Sequence, residues 1–558
     1  MKFLGWLYRF SSLKFHGHKF PVIFSPKQKV LYLVQSGTVP IPFSQQQWVR
    51  EEIYQSQLQI MTTLHLLLLL LLVCVCPIKP LAARAAVDRV AVVGGGVAGL
   101  ALASALANLK GGSGVTDVVI YETRDNVLQS NLGGGVQLSG GAAVMAQLGM
   151  LSDLKRVGQK VDRVLARNYR KEQLLDIDVE MSVRLNALDE LMVDGETMFF
   201  SIMRDALLNM LYNSTQQNQC KTVTTVRGRS KCVGLVRSDD SSKVGVLLSD
   251  GSVDEGYDLV FGADGINSVV REYTSGGDKP LVSLPRADPA APAFTGIRIT
   301  YALTGPDDSF SLRPGGKGAF HQWFGDGCYC LAASYGGLTG AQHMLAFVYD
   351  EAAFSEGAVS RDENAQWREA GSSVDGAAKA TLKERLLRGG FGDNEELMRL
   401  ADASDSSRCI DLSVADRTVP LQSWSATDGR VVLLGDSAHA MAPFLGQGAN
   451  QALQDALFLA RGIGALNSRL RRPTEGGAAA EQWLFDKELL SELQELSGSY
   501  ELRRKPPTAL LSLKSSFLGR VETLSGGGGM FARDNFFRAM AALGIAERIF
   551  IGGAKPQL

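Results

Sequence analysis

The chain has 558 residues, a formal net charge of −1 and a hydrophobic content of 45%. This length allows two or more domains with a sizeable core. The near-neutral charge and the hydrophobic content argue against a nucleic-acid-binding protein and against a disordered chain. The seven cysteines contain no C-x-x-C motif and show no ligand spacing with the six histidines, so we expect no metal site.

Residues 1–87 are predicted to form a targeting leader. Residues 1–50 carry seven Lys or Arg and no Asp or Glu, which is typical of a targeting segment. The apolar run at 64–76 is shorter than the roughly 20 residues of a membrane helix, and it suits the apolar region of a signal peptide. We therefore expect a secretory, endomembrane or membrane-associated location. The alternatives are a plastid address, an N-terminal membrane anchor, or a start of translation at Met61.

The clearest motif begins at a short buried strand, Arg89–Val93. Gly94, Gly96 and Gly99 follow with the spacing G-x-G-x-x-G, and a helix rich in Ala and Leu continues over 100–109. In a dinucleotide-binding unit the first glycine allows a tight turn and the second lets the backbone approach the phosphates. The third lets helix and strand pack closely. The helix N-terminus offers free N–H groups and partial positive charge to the anion.

A second predicted strand, Val118–Tyr121, ends in Glu122, about 23 residues after Gly99. At this position of a dinucleotide-binding unit an acidic residue binds a ribose hydroxyl. A lone glycine motif in a chain with 60 glycines is also compatible with an ordinary turn. The strand, turn, helix, second strand and acid in this order predict nucleotide binding.

Two more buried strands end in polar glycine corners. The segment 257–265 is predicted to be a strand followed by a corner that contains Asp264 and Gly265. The segment 430–434 is the next such strand, and the motif Gly-Asp-Ser-Ala-His at 435–439 follows it directly. A loop at 443–448 then leads into a predicted helix at 449–463.

Residues 275–405 differ in composition from the preceding part of the chain. Pro and Gly are frequent there, and four runs have the residue pattern of β-strands. We expect an antiparallel sheet here, inserted into the nucleotide-binding fold. The tail is predicted to be mostly helical. The expected organisation is a leader (1–87), a nucleotide-binding domain in two parts (88–274 and 406–470), a mainly substrate-binding domain (275–405) and a helical C-terminal region (471–558).

Three motifs therefore occur in one order: the glycine motif at 94–99, Asp264-Gly265, and the stretch 435–450. This order resembles the FAD-dependent aromatic hydroxylases, the para-hydroxybenzoate hydroxylase-like or group A flavoprotein monooxygenases, which include zeaxanthin epoxidase and salicylate hydroxylase. The resemblance covers about residues 88–470, and 435–455 is its most specific part. It implies an α/β fold with an FAD-binding Rossmann-like domain, an inserted antiparallel-sheet substrate domain and a helical C-terminal region.

The resemblance also implies an FAD site. Asp436 would hydrogen-bond the ribityl chain, and the helix N-terminus after the 443–448 loop would stabilise negative charge on the reduced flavin ring. Arg204, at a predicted helix start, would reach toward FAD. His439 has no expected proton-transfer role, and no catalytic residue is assigned. The expected cofactor-binding residues are Gly94, Gly96, Gly99, Glu122, Arg204, Asp264, Gly265, Asp436, Gly446, Gly448, Ala449 and Asn450.

The implied chemistry uses FAD, NAD(P)H and O2. NAD(P)H would reduce FAD, and a C4a-hydroperoxyflavin would transfer one oxygen atom to the substrate while the other atom leaves as water. A second Rossmann glycine motif is missing from the sequence, which fits a nicotinamide nucleotide that binds transiently. The substrate is expected to be a small hydrophobic or aromatic molecule, aromatic or isoprenoid-like, that is hydroxylated or epoxidised.

The predicted sheet at 275–405 would form the roof of the substrate pocket. His321, Trp323, Phe324 and Tyr329 are candidates to line that pocket, although an ordinary sheet core is an equally good interpretation of them. A flavoprotein reductase or dehydrogenase of the same fold, and a flavin-bound scaffold with little turnover, fit the same motifs. A halogenase is disfavoured because no two of the six Trp lie two residues apart. The sequence leaves open the substrate, the choice of NADH or NADPH, and the oligomeric state.

Overall fold

A computed structural model describes residues 12–15, 18–25, 30–33 and 85–556, with gaps in the last range. The predicted apolar run at 64–76 lies outside the described residues. The gaps are 129–133, 218–220, 239–241, 276–291, 307–317, 355–376, 418–421, 473–478 and 552–554.

The chain divides into two compact units, Met1–Ala82 and Ala83–Leu558. In the first unit, strands β1 (Ser12–Phe15), β2 (His18–Ser25) and β3 (Val30–Leu33) form an antiparallel sheet in that order. Among the helices of the described ranges, none has the length and apolar character needed to cross a membrane.

The second unit contains the other strands and all of the described helices. Its strands are β4 (Arg89–Val93), β5 (Asp117–Tyr121), β6 (Gly135–Leu138), β7 (Gln159–Lys160), β8 (Arg163–Asn168), β9 (Gln173–Asp178), β10 (Met192–Val193), β11 (Glu196–Thr197), β12 (Phe200–Met203), β13 (Val223–Arg227), β14 (Cys232–Arg237), β15 (Val244–Leu248), β16 (Val253–Tyr257), β17 (Leu259–Gly262), β18 (Ala293–Thr304), β19 (Ala319–Phe324), β20 (Cys328–Tyr335), β21 (Gln342–Asp350), β22 (Ser404–Asp416) and β23 (Val431–Leu433). Its helices are α1 (Val97–Asn108), α2 (Gly140–Gln147), α3 (Leu151–Val157), α4 (Val179–Leu185), α5 (Arg204–Thr215), α6 (Val270–Ser275), α7 (Glu351–Phe354), α8 (Ala377–Arg388), α9 (Glu395–Ala403), α10 (Asp436–His439), α11 (Gly448–Arg469), α12 (Ala479–Glu522), α13 (Gly526–Ala542) and α14 (Ile545–Phe550).

A five-stranded parallel sheet lies at the centre of the second unit, with strand order β13-β5-β4-β17-β23. Strands β4, β5, β17 and β23 are apolar and buried along almost their whole length, as expected of a parallel sheet whose faces are covered. Helix α1 packs against α5 and α11, so the helix of the glycine motif is held by two neighbours.

The register of this sheet brings the three sequence motifs to one edge. Gly262 pairs with Val93 on one side and with Leu433 on the other. The glycine turn at 94–99, the corner at Asp264 and the corner at Asp436 therefore leave the sheet at the carboxyl ends of three adjacent strands. In open α/β sheets, ligands bind beside this edge.

A second large sheet has the strand order β22-β18-β21-β20-β19-β8-β9. All of its neighbouring pairs are antiparallel except β19 and β8, which run parallel. Its strands come from three parts of the chain: 163–178, 293–350 and 404–416. The domain boundaries expected from the sequence stay a prediction.

The C-terminal region is helical. Helix α12 has 44 residues and includes Pro506 and Pro507, and α13 and α14 follow it. Together with the parallel sheet and the mainly antiparallel seven-stranded sheet, these helices confirm the predicted fold class, an α/β fold with a Rossmann-like domain, an antiparallel-sheet domain and a helical C-terminal region.

Candidate active site

Gly94 and Gly99 have no space for a side chain. Gly94 has φ +104°, and its backbone N–H donates to the Tyr121 carbonyl at 2.8 Å. A Cβ at Gly94 would lie 2.3 Å from the Ala263 carbonyl oxygen, and a Cβ at Gly99 would lie 2.0 Å from the Gly94 carbonyl oxygen. Both glycines therefore allow backbone segments of the protein to pack against each other.

Gly96 is different, because a Cβ there would meet open space. Among the described residues, the nearest atom to that Cβ would be Nη2 of Arg204, at 4.0 Å. Gly96 also directly precedes α1, whose first N–H groups lack an intrahelical partner and carry partial positive charge. An anion such as a pyrophosphate fits this open position beside the helix N-terminus.

Glu122 ties the second strand to the glycine turn. Its Oε2 accepts a hydrogen bond from the Gly95 N–H at 2.9 Å, and its Oε1 accepts from the N–H and Nε of Arg124 at 2.9 and 3.0 Å. Burial alone would raise the pKa of Glu122, but the hydrogen bonds and charge of Arg124 hold that pKa below its ordinary value. The carboxyl group is therefore ionised at neutral pH.

Asp264 and Gly265 form hydrogen bonds with Ser437, which belongs to the motif at 435–450. The Ser437 hydroxyl donates to Oδ1 of Asp264 at 3.1 Å and accepts from the Gly265 N–H at 2.9 Å. The other Asp264 oxygen accepts from the Val269 N–H at 2.7 Å, near the start of α6. Gly265 has φ +80°, which favours glycine. Asp264 thus holds two chain corners together.

Asp436 begins the short helix α10, directly after Gly435, which has φ +60°. Its carboxyl group forms part of a cavity wall, close to the start of α11: a Cβ at Gly448 would lie 3.8 Å from Oδ1 of Asp436. Burial raises the pKa of Asp436, against the opposing charges of His439, Arg204 and Arg271. Arg204 and Asp436 line the same cavity.

The Asn450 side chain fixes the loop before α11. Its Oδ1 accepts from the Ser139 and Gly141 N–H groups at 2.8 and 2.9 Å, and its Nδ2 donates to the Gln137 and Gly446 carbonyls at 2.8 and 3.1 Å. These four bonds use the whole capacity of a side-chain amide. The Asn450 side chain therefore positions the loop whose Gly446, Gly448 and Ala449 line a cavity.

One cavity of about 420 Å³ joins the edge of the parallel sheet to the seven-stranded sheet. Five predicted site residues line it: Arg204, Asp436, Gly446, Gly448 and Ala449. The wall on the other side is mostly apolar or aromatic and includes Val164, Ile299, Tyr301, Phe320, Tyr329, Leu331, Met344 and Val348. The other predicted site residues do not line the cavity: Gly94, Gly96, Gly99, Glu122, Asp264, Gly265 and Asn450.

This arrangement fits FAD. The open turn at Gly96 suits a pyrophosphate, the Asp436 carboxyl in the cavity wall suits a hydroxylated chain, and the apolar cavity beside the α11 N-terminus suits a flat aromatic ring.

The chain is similar to known proteins in sequence and in fold. A family profile described as an FAD binding domain matches residues 415–470. The chain is similar to 3-amino-4-hydroxybenzoate 2-monooxygenase PtmB3 of Streptomyces platensis, with 27% identity over 68% of this chain and 80% of that protein. It is also similar to chloroplastic zeaxanthin epoxidase of Nicotiana plumbaginifolia, with 29% identity over 74% of this chain and 53% of that protein.

A solved structure has the same fold. The crystal structure of Klebsiella pneumoniae HpxO complexed with FAD and uric acid matches with a TM-score of 0.59 and 19% identity, over 84% of this chain and 97% of that one. These similarities support an FAD-dependent monooxygenase. The resemblance noted in the sequence is thereby confirmed, and the cofactor of this monooxygenase is FAD.

The seven-stranded sheet of this monooxygenase presents alternate residues to the cavity. In β19, Phe320 and Gln322 line the cavity, whereas His321 and Trp323 point to the other face and stack with ring centroids 5.3 Å apart. Phe324 packs against Phe537 instead. Of the four aromatic candidates that the sequence suggested, only Tyr329 lines the cavity.

Sequence reasoning missed a buried charged network behind the third motif. His439 Nε2 lies 2.6 Å from Oδ2 of Asp455, and the Arg504 Nε donates to the other Asp455 oxygen at 2.8 Å. The same Asp455 Oδ2 accepts from the Gly435 N–H at 3.0 Å. In this monooxygenase His439 therefore helps to join α10 and α11 to α12. The spacing of 16 residues between His439 and Asp455 offers no local signal for this pair.

Proposed function

We propose that the chain uses NAD(P)H and O2 to add one oxygen atom to an aromatic or isoprenoid-like substrate. When bound, FAD supplies the oxygen activation: two electrons from NAD(P)H and one proton accompany transfer of one oxygen atom to the substrate and release of the other atom as water. The substrate is hydroxylated or epoxidised. The relatives named as monooxygenases and as epoxidases support this reaction class.

The observation that carries the proposal is the shared cavity. It is bounded by predicted FAD-site residues on one side and by the seven-stranded sheet on the other, so a flavin ring and a small substrate would meet in one apolar space. Apolar walls of this kind exclude water, which protects reactive oxygen species from loss to solvent.

The proposed role of each binding group follows from its position. The turn at Gly96 and the start of α1 hold the pyrophosphate. Glu122, with Arg124 beside it, faces the adenosine ribose, and the Asp436 carboxyl accepts hydrogen bonds from the ribityl hydroxyls. The N–H groups of the first turn of α11 face the ring and stabilise negative charge that develops there.

The direct test uses the purified full-length protein. We expect a yellow holoenzyme that oxidises NADPH or NADH faster when a suitable ring compound is present, forms little hydrogen peroxide, and places an atom from labelled dioxygen in the product. Oxidation of NAD(P)H without oxygen in the product would identify a reductase or dehydrogenase instead. A holoprotein that oxidises no NAD(P)H with any compound in the panel would identify a flavin-bound scaffold.

For the cellular location, we propose the plastid ahead of the secretory route. The support is that the similar zeaxanthin epoxidases are named as chloroplastic proteins. A fluorescent protein fused behind residues 1–87 tests this assignment. Fluorescence inside plastids is the expected result, and fluorescence in the endomembrane system or on membranes would contradict it.

A further inference from the structure

Glu522 is a buried carboxylic acid in the wall of the shared cavity. It is the last residue of α12, and only 1% of its surface is exposed. Its Oε1 accepts a hydrogen bond from Nε2 of Gln322 at 2.7 Å. Its Oε2 is buried and makes no hydrogen bond of ordinary geometry within the described part of the chain, and the Tyr329 hydroxyl lies close to the same carboxyl group. A buried polar atom without a partner costs free energy, which a ligand in the cavity would recover.

The end of α12 is held in place by close packing. The Ser515 hydroxyl donates to the Ala442 carbonyl at 2.6 Å. Gly519 lies directly against the Phe444 ring, because a Cβ at Gly519 would come within 2.3 Å of that ring. Phe444 itself lines the cavity. Since Glu522 follows Gly519 by one helical turn, the same contacts fix its carboxyl group at the cavity wall.

The remainder of the wall makes Glu522 distinctive. The charged side chains that line the cavity within the described part of the chain are Arg204, Asp436 and Glu522. In the proposed function, Arg204 and Asp436 lie on the side of the cavity that binds FAD. The ionisable acid left for a substrate on the sheet side is therefore the Glu522 carboxyl, with Gln322 and Tyr329 next to it.

Burial leaves Glu522 mostly uncharged at neutral pH. Burial raises the pKa of Glu522 to about 8, against the opposing effects of the Gln322 hydrogen bond, the Tyr329 hydroxyl and the Arg533 charge. Arg533 is largely engaged elsewhere, since Nε and Nη2 donate to Asp534 at 3.1 and 3.0 Å and Nη1 donates to the Gly325 carbonyl at 2.5 Å.

We propose that Glu522 binds the hydroxyl group of a neutral ring substrate and, in its ionised form, disfavours ring compounds that carry a carboxylate. This proposal rests on the proposed function, because it takes the shared cavity as the substrate site. With Oε1 occupied by Gln322, the protonated Oε2 donates to the substrate hydroxyl oxygen, and the ionised Oε2 accepts the hydroxyl proton as a hydrogen bond. A substrate carboxylate meets a like charge here as soon as Glu522 ionises.

Binding of three matched probes to the full-length holoenzyme tests the proposal by calorimetry. The probes are 2-naphthol, naphthalene and 2-naphthoate. At about pH 7, we expect the wild type to bind 2-naphthol roughly tenfold more tightly than naphthalene, the value of one net buried hydrogen bond. Glu522→Leu should remove that preference. Glu547→Gln, which changes a carboxyl group of α14 outside the cavity wall, should keep it.

The pH dependence separates recognition from a structural effect. In the wild type, binding of 2-naphthoate should weaken several-fold between about pH 7 and about pH 9, as Glu522 loses its proton. In Glu522→Gln, which keeps the shape and stays neutral, this weakening should disappear. FAD content and thermal unfolding of every variant show whether it has folded.

Equal binding of 2-naphthol and naphthalene by the wild type would overturn the proposal, and so would an unchanged preference in a folded Glu522→Leu protein. Unchanged weakening of 2-naphthoate binding in Glu522→Gln would do the same. These ratios are read from binding heats, so they hold whatever the NAD(P)H and oxygen measurements show. Failure of the proposed function would appear in those other measurements, as missing FAD or missing oxygen transfer.

Discussion

At the scale of single residues, the three glycines of the first turn exclude side chains for different reasons. Gly94 and Gly99 each lie against backbone, whereas the space beside Gly96 is open apart from the Arg204 guanidinium 4.0 Å away. Gly96 also has φ −79°, a value that any residue adopts. A side chain at Gly96 therefore disturbs the ligand space rather than the protein.

The first prediction follows from this contrast. Gly96→Val should give a folded, colourless protein whose melting temperature is close to that of the wild-type apoprotein. Gly99→Val should lower the free energy of unfolding by several kcal/mol, because its Cβ would overlap the Gly94 carbonyl. Absorbance of bound flavin and thermal unfolding measure the two effects. Stoichiometric FAD in Gly96→Val would remove this glycine from the site.

The second prediction concerns Asp436. Its raised pKa means that the ionised carboxyl costs the apoprotein stability, and this cost grows as pH rises above the ordinary Asp value of about 3.9. Asp436→Asn should therefore make the apoprotein more stable at neutral pH while weakening FAD retention. The stability difference should vanish below about pH 4. Urea unfolding of FAD-stripped proteins across this range measures it, and full FAD content in Asp436→Asn would contradict the proposed role.

Residue-scale prediction from the sequence works where a motif fixes the backbone. The glycine spacing identified Gly94, Gly96 and Gly99 because each position needs a special backbone path or close approach. Glu522 could not be found in this way, because a Glu at the end of a polar helix looks like a surface residue. Its burial depends on strand β19 and on Gly519, which are distant in sequence.

At the scale of elements, α12 is joined to the FAD-side helices by buried charges. Arg504 is fully buried and donates to Asp455, Gln454 and Gln451, all on α11. Burial opposes ionisation of Asp455, but the charges of His439 and Arg504 lower its pKa to about 2. The position of α11, whose first turn lines the cavity, therefore depends on α12.

The third prediction tests this connection. Arg504→Met should lower the free energy of unfolding by about 3–5 kcal/mol, because it leaves Asp455 buried without its guanidinium partner. The control is Arg520→Met, which changes an exposed arginine on the same helix and should have little effect. Chemical unfolding followed by far-UV circular dichroism gives both values. Equal stabilities of the two variants would show that the buried pair contributes nothing net.

The same pair gives a pH dependence with a definite sign. A carboxyl whose folded-state pKa is depressed contributes stability above its unfolded value of about 3.9 and loses it as pH falls toward about 2. Wild-type stability should therefore fall between these pH values more steeply than that of Arg504→Met. Parallel curves for the two proteins would contradict the assigned role of Arg504.

Elements were predicted best where they are continuous in the chain. The strands at 89–93 and 118–121 and the helix after the glycine turn follow from hydrophobic patterns and agree with β4, β5 and α1. The sequence could not show which face of β19 lines the cavity. The alternation of side chains along a strand defines two faces, but it does not tell which of them faces a ligand. Packing against α12 and α13 decides it.

At the scale of the whole molecule, the order of the motifs predicted the fold class, and the register of the parallel sheet explains why. Three glycine-bearing corners that are distant in sequence follow three adjacent strands. The seven-stranded sheet was predicted only in part, because β8 and β9 lie outside 275–405 and most of β22 lies beyond residue 405. Pairing between distant segments depends on side-chain packing that no local pattern encodes.

The last prediction concerns where the second unit must begin. Ala86 and Val87, which the sequence assigned to the leader, are completely buried. The Val87 N–H donates to Oδ1 of Asn467 at 2.8 Å, and the Val87 carbonyl accepts from Nδ2 of Asn467 at 2.7 Å. The Ala86 carbonyl accepts from Nη2 of Arg472 at 3.0 Å. These contacts attach the residues before β4 to the end of α11.

A protein that starts at Ala83 should therefore bind FAD and melt like the full-length chain. A protein that starts at Asp88 should lose about 2–4 kcal/mol of unfolding free energy, since it removes buried apolar surface and both hydrogen bonds between Val87 and the Asn467 amide. Each is expressed with an added initiator methionine and compared by flavin absorbance and calorimetry. The matched substitution Asn467→Ala in the Ala83 protein should reproduce part of the loss. Equal melting of the Ala83 and Asp88 proteins would show that residues 83–87 are dispensable to the fold.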